Sequence, residues 1–316
     1  MPSPVYERRR PETTTLYHVV QENLDTLYGA VEELAITLPK FVRKELEGYL
    51  ACGLLCHGFA RLKCGGCDET RLVAFSCKGR GFCPSCLGRK MSATAAHLIE
   101  DVLPPVDLRQ WVLTVPFAWR KRLGYDGPLV SALTRIFVQT VLGFYANRAS
   151  RDGQSGAVVA VQRTSSDLKL NPHVHAVFLD GAYRDKGDEL DFRAVGHLST
   201  RDVAAVLERT RDRMVKYLRR HGLLEDGDSE DDGDGLAVLA ASAVSGSTPP
   251  AGPEWRRGAL PFARRPMVFE RPLCVALDGF TLHAATRAGG QDVAGLGPVS
   301  YTHLRAHETK ANLVCR

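Results

Sequence analysis

The sequence predicts an α+β protein in two parts: a small helical, cysteine-rich domain, then a core in the order β-α-β-β-α-β, the ferredoxin-like or split βαβ arrangement. Three observations carry this expectation. Seven of the nine cysteines crowd between Cys52 and Cys86. Beyond Pro104-Pro105 the rhythm changes, and short β-branched runs alternate with long stretches of helical periodicity. Finally, 316 residues that are 44% hydrophobic and 24% charged suffice for about two domains with a buried core, which excludes a disulfide-stapled miniature and a wholly disordered chain.

A polar start from Pro2 to Pro11 leads to Thr13-Thr14-Thr15, a helix N-cap signal. Tyr17, Val20, Leu24, Leu27, Val31 and Leu34 then recur at three and four residues, so a helix with one apolar face is expected to about Ala35. Leu38-Pro39 opens a second helix to about Leu50, and Ser92–Leu103 reads as a third, ended by Pro104-Pro105. In the core, 110–115 and 157–163 read as strands around a helix over 128–149. Ser165-Ser166-Asp167 turns the chain into a strand over 173–179, ended by Asp180-Gly181, and Thr200–Arg220 is a charged amphipathic helix. At least one more strand is expected within 273–288. Seven acids fall between Glu225 and Asp234; they lack the spacing and closing Glu of a calcium loop and read as a disordered insertion. The expected organisation is 1–103, helical and metal-binding; 104–222, first part of the core; 223–254, acidic insertion; 255–297, last strand region; and 298–316, a tail.

No run approaches the roughly 20 consecutive apolar residues of a membrane helix, and the first ten residues lack a signal peptide's apolar stretch. The expected setting is cytoplasmic, with no membrane partner, and in a reducing compartment clustered cysteines are better read as metal ligands than as disulfides. Lys and Arg total 41 against 36 acids, a formal charge of +5. Its distribution matters more than its size. Arg61, Lys63, Arg71, Lys78, Arg80, Arg89 and Lys90 sit within 61–90 beside two acids, a pattern that suits a phosphate-binding surface.

Cys64-Gly-Gly-Cys67 and Cys83-Pro-Ser-Cys86 are two C-x-x-C pairs with the spacing of a zinc ribbon. Four thiolates close a tetrahedral shell and leave no open position, so the expected Zn²⁺ site is structural. Cys52, Cys56, His57 and Cys77 fit a second zinc site, a substitute ligand, or plain core positions. In Asn171-Pro-His173-Val-His175 the two histidines lie at i and i+2, so on a strand both imidazoles project from one face. With a third ligand such a pair can hold a divalent ion. The preceding strand can bring Gln162 beside them.

The blocks Cys77-Lys-Gly-Arg-Gly-Phe-Cys-Pro-Ser-Cys86, Arg109-Gln-Trp-Val-Leu-Thr-Val-Pro116 and Leu170-Asn-Pro-His-Val-His-Ala-Val-Phe-Leu-Asp-Gly181 resemble the rolling-circle insertion-sequence transposases. These join an N-terminal zinc-binding domain to an endonuclease core named HUH for its histidine-hydrophobe-histidine motif. The resemblance runs from about Thr13 to Leu296. It implies single-strand DNA nicking and strand transfer on single-stranded or hairpin transposon ends, with His173, His175 and a third ligand, taken here as Gln162, holding Mg²⁺ or Mn²⁺. It also implies attack by a tyrosine on a helix beyond the last strand, and on the basic clustering read above, Arg61, Lys63, Lys78, Arg80, Arg89 and Lys90 are the expected DNA contacts. His283, in Gly279-Phe-Thr-Leu-His-Ala284, either faces this site or is structural. The stretch from Val299 to Arg316 looks like a translated library adapter, so Tyr301 is not expected to be the nucleophile and the chain is expected to lack one. A zinc-ribbon nucleic-acid-binding protein without catalysis is the competing expectation.

Overall fold

The computed structural model describes residues 10–35, 37–67, 69–77, 83–149, 153–165, 169–187, 189–224, 259–260, 262–290 and 312–315. The acidic insertion and most of the 298–316 tail lie outside them. The chain separates into two units, Met1–Lys90 and Met91–Arg316.

In the first unit, Thr14 caps α1 (Thr15–Glu33) by accepting a hydrogen bond from the Tyr17 amide at 3.3 Å. The apolar face of α1 is buried only at its start: Tyr17 packs against Tyr49 of α2 (Lys40–Ala51) and against Cys83, whereas Leu27 and Leu34 are exposed. A hairpin follows, β1 (Phe59–Lys63) with β2 (Thr70–Ala74), in the register Arg61↔Leu72. Helix α3 (Pro84–His97) begins well before the Ser92 expected from sequence. Cys83-Pro-Ser-Cys86 carries no apolar period and reads as a turn, yet proline at a first helical position forfeits no hydrogen bond. A single wider turn, Leu98–Val102, ends with the Leu103 amide on the Leu98 carbonyl at 2.8 Å.

The second unit mixes helix and sheet. Its strands are β3 (Leu108–Thr114), β4 (Gly156–Thr164), β5 (Leu170–Leu179), the hairpin β6 (Gly181–Asp185) and β7 (Leu190–Ala194), then β8 (Val268–Arg271), β9 (Cys274–Leu277), β10 (Phe280–His283), β11 (Arg287–Ala288) and β12 (Asn312–Cys315). Its helices are α4 (Arg120–Tyr125), α5 (Gly127–Ala149) and α6 (Thr200–Arg220). The main sheet runs β12-β4-β5-β3-β10-β9-β8 with antiparallel pairing throughout, and β11 adds to β3. The last strand region is thus a β9–β10 hairpin plus two short additions. Strand β5 starts at Leu170, ahead of the expected His173. It tolerates Pro172 because the ladder to β4 is already interrupted, with a register shift between Gln162 and Thr164.

Alternation along the strands divides the sheet into two faces. Trp111, Leu113, Val174, Ala176, Phe178, Phe280 and Leu282 point at α5 and α6 and form the main core with Phe137, Leu207, Met214 and Leu218. Helix α5 is long and apolar enough to pass for a membrane span by composition, but Leu129, Leu133, Phe137, Val141 and Tyr145 are spent on this core. Helix α6 starts in a capping box: the Asp202 amide donates to Ser199 Oγ at 3.2 Å, and the Ser199 amide to Asp202 Oδ2 at 2.8 Å. The opposite face carries a smaller cluster, Leu108, Val177, Leu179 and Ala288.

At the end of β5, Asp180 is fully buried and bound on every side. Arg109 meets it in a fork, Nε to Oδ1 and Nη2 to Oδ2 at 2.9 Å each, Arg287 Nε adds a third contact at 2.9 Å, and Tyr145 donates its hydroxyl at 3.1 Å. Trp111 Nε1 in turn donates to the Tyr145 oxygen at 3.0 Å. A buried carboxylate is tolerable only with such pairing, and the cluster fixes where β5 ends.

Candidate functional site

Three strands set the positions of the two histidines. His173 and His175 lie on the sheet face away from α5 and α6, half-buried, with ring centroids 4.9 Å apart. The register puts Gln162 of β4 and Thr114 of β3 directly opposite His173, and Ala160 and Val112 opposite His175. Directly opposed residues share a face, so Gln162 and the two imidazoles converge. His283 of β10 pairs with Val112. It therefore shares the face but stands two strands, about 10 Å, from His175.

Hydrogen bonds orient both rings. His173 Nδ1 donates to the Asn171 carbonyl at 2.6 Å, which leaves Nε2 as its lone-pair nitrogen. Gln110 Nε2 donates to His175 Nδ1 at 3.0 Å, which fixes the orientation of that ring on the strand face. Burial lowers the pKa of His173, with the Asn171 carbonyl opposing and the charge of Arg120 reinforcing the shift. A neutral imidazole is the form that binds metal. Asn171 occupies the same strand face, and its Oδ1 is buried without a hydrogen-bond partner. Two imidazoles with the carboxamide residues Gln162 and Asn171 on the same strand face are side-chain types that a divalent cation can use.

Sequence reading had quoted Gln110, Asn171 and Asp180 within its motif blocks without giving them roles, and had not singled out Arg120. Arg109-Gln110 puts two polar residues into an otherwise apolar strand, but their partners, Asp180 and His175, follow only from β3 lying beside β5. Tyr145 offers no nucleophile. Burial first, then the neighbouring Asp180 carboxylate, push its hydroxyl pKa far upward, and that hydroxyl is donated to Asp180.

In the first unit, Cys64 and Cys67 lie in the turn after β1, which the Cys64 amide closes onto the Glu69 carbonyl at 2.9 Å. The Gly66 amide, and after it the Cys67 side chain and amide, hold the Cys64 thiol pKa below its ordinary value. Hydrogen bonds onto sulfur favour the thiolate that a metal takes. Cys83 is buried beside Tyr17 and Tyr49, and the side chain of Cys86 is outside the described residues. Cys52 is buried with its sulfur accepting from the Cys77 amide at 3.3 Å, while Cys56 and His57 are exposed. Among the described residues no three His, Cys, Asp or Glu side chains gather around one point. Arg61 and Lys63 share one exposed face of β1, Arg89 and Lys90 are exposed on α3, and Lys78 and Arg80 lie outside the described residues.

No curated protein and no solved structure is similar enough to the chain to match it. Two family models do match: the transposase zinc-binding domain over residues 24–115 and the family described as "Putative transposase" over residues 156–246. The first spans both C-x-x-C pairs, and the second spans Gln162, His173, His175 and α6. Two transposase domains in one chain support a transposase, with zinc and DNA as the partners such domains imply.

Proposed function

We propose that the chain is a rolling-circle transposase of the HUH type: the first unit holds Zn²⁺ through Cys64, Cys67, Cys83 and Cys86 and grips transposon-end DNA, while the second nicks and transfers a single strand. The order β3-α5-β4-β5-α6-β10, with strands side by side as β4-β5-β3-β10, supports the ferredoxin-like core expected of that type. The carrying observation is the convergence of His173 and His175 on one sheet face with Gln162 opposite. Mg²⁺ or Mn²⁺ held there would supply Lewis-acid polarisation of the scissile phosphate. The chain's own residues do the rest: Asn171 and Gln110 fix the two rings, and the three-strand ladder fixes their spacing. The resemblance puts the nucleophile on a helix beyond the last strand; none of the tyrosines described is assigned that role, and neither is Tyr301.

Mn²⁺ binding followed by paramagnetic resonance tests the site. His173→Ala and His175→Ala should each abolish it, with zinc content unchanged. Undiminished Mn²⁺ binding in both would leave a zinc-dependent DNA-binding protein without this nuclease centre. Incubation with Mn²⁺ and a transposon-end oligonucleotide should give no covalent adduct on any tyrosine described here, and an adduct mapped to one of them would overturn that placement.

A further inference from the structure

Arg120 serves no partner that the fold itself requires. It opens α4 directly after Trp119, which is fully buried and stacked edge-on against Phe280 with centroids 5.1 Å apart. Helix α4 packs on β5 through the face that carries Arg120 and, one turn on, Gly124: a Cβ on Gly124 would lie 2.7 Å from Leu170 Cδ1. Arg120 therefore enters on the flank of the strand that bears the two histidines, just beyond Thr114, the residue paired with His173. Its Nε is buried with no hydrogen-bond partner. Its guanidinium lies over the ring of Phe117, 5.3 Å from centroid to Cζ, and Phe117 is itself 39% exposed.

A half-desolvated guanidinium is costly unless an anion joins it. None of the described carboxylates is paired with Arg120, in contrast to Arg109, Arg122 and Arg148, each held by an aspartate. Among the described residues no carboxylate joins His173 and His175 in a cluster, so a divalent cation there gains little charge compensation from them. A phosphodiester supplies what both lack, since one phosphate can face the cation and the guanidinium together.

We propose that Arg120 is a substrate-binding residue that holds a backbone phosphate of single-stranded DNA against the His173–His175 site, with Phe117 stacking the adjoining base. The proposal deepens the nuclease reading and rests on it for the identity of the anion. Arginine suits the role because its fork meets two phosphate oxygens at once, and an exposed aromatic ring beside it is the usual platform for an unpaired base.

The test uses the full zinc-loaded chain and a labelled twelve-nucleotide oligothymidylate, titrated across salt concentrations in chelator-free buffer without Mg²⁺ or Mn²⁺ and again in Mn²⁺. Without Mg²⁺ or Mn²⁺, Arg120→Gln should weaken binding about tenfold at low salt and reduce the slope of log affinity against log salt by about 0.7, the contribution of one single-strand phosphate contact. Arg120→Lys should keep the slope and lose part of the affinity, and Phe117→Ala should lose affinity with the slope intact. Measured without DNA, Mn²⁺ should bind Arg120→Gln at least as tightly as the unaltered chain, because a nearby positive charge has gone. Unchanged oligothymidylate affinity and slope in Arg120→Gln would overturn the proposal, as would weaker Mn²⁺ binding, which would make Arg120 a support of the fold. Failure of His173 and His175 to bind Mn²⁺ would sink the nuclease reading alone, since the titration without Mg²⁺ or Mn²⁺ does not depend on a metal at that site.

Discussion

Tyr17, Tyr49 and Cys83 make the buried apolar cluster described for the first unit, while Phe41, Phe59, Leu62, Leu72 and Phe75 stay exposed there. The second unit interlocks Trp111, Trp119, Phe137, Phe178, Phe280 and many aliphatic side chains between one sheet face and two helices. Burial is the main favourable term in folding, so the second unit is held by its core and the first needs another source. Bound metal is the source that its thiolate-favouring turn points to, because in small cysteine-rich domains the free energy of metal binding is largely folding free energy.

The largest effect should come from removing that source. Chelation of zinc, or Cys64→Ser with Cys67→Ser, should cost the first unit on the order of 10 kcal/mol and unfold it. Far-ultraviolet dichroism should fall, while the fluorescence of Trp111 and Trp119 in the second unit's core should stay put. A first unit that remains folded without metal would end the contrast drawn here.

Next in size is Asp180→Ala, which strands Arg109 in the core without its counter-charge and should destabilise the second unit by about 3–5 kcal/mol. Urea unfolding followed through the tryptophans would read this, with zinc content as the control. A loss under about 1 kcal/mol would show that the cluster relaxes and that apolar packing alone sets the second unit's stability.

The smallest effect tests a helix end. Ser199→Ala removes the cap of α6 and should cost about 1 kcal/mol. It should also blunt an acid-sensitive step. Burial raises the Asp202 pKa, but the Ser199 amide and hydroxyl and then Arg148 outweigh it, so the folded value lies below the ordinary 3.8. The unfolded chain therefore takes up the proton first as pH falls. The carboxylate's contribution is complete above 3.8 and disappears as pH drops through the lower folded value. Stability measured across that window should change less in Ser199→Ala than in the unaltered chain.

Much of the second unit was legible because its signals are periodic. Thr200–Arg220 emerges with the limits read from its charged amphipathic pattern, and Gln162 lands opposite His173 because a strand period of two leaves little freedom once register is set. Contacts that depend on which strands become neighbours were not legible. Nothing in Arg109-Gln110 announces that one will clasp Asp180 and the other His175 until β3 is known to lie beside β5. The first unit resisted for a different reason. A sequence stripe from Tyr17 to Leu34 promised a buried face, but a stripe records what could be covered, and only Tyr17 of the stripe is fully buried, with Val20 packed beside it, among the described residues.

The place of β10 bears on how the protein is made. Leu282 pairs with Leu113, so the ribosome delivers β3, both long helices and the histidine strand well before the strand that completes the sheet on β3's far side. Throughout that interval the nascent chain presents an open row of backbone donors and acceptors two strands' width from the histidine pair, the kind of edge that recruits a stray strand from another chain. Synthesis at about 5–20 residues per second keeps it open for several seconds. The yield of correctly folded protein should accordingly depend on chaperone supply and on translation speed between β5 and β10 more than on the intrinsic stability of the finished fold.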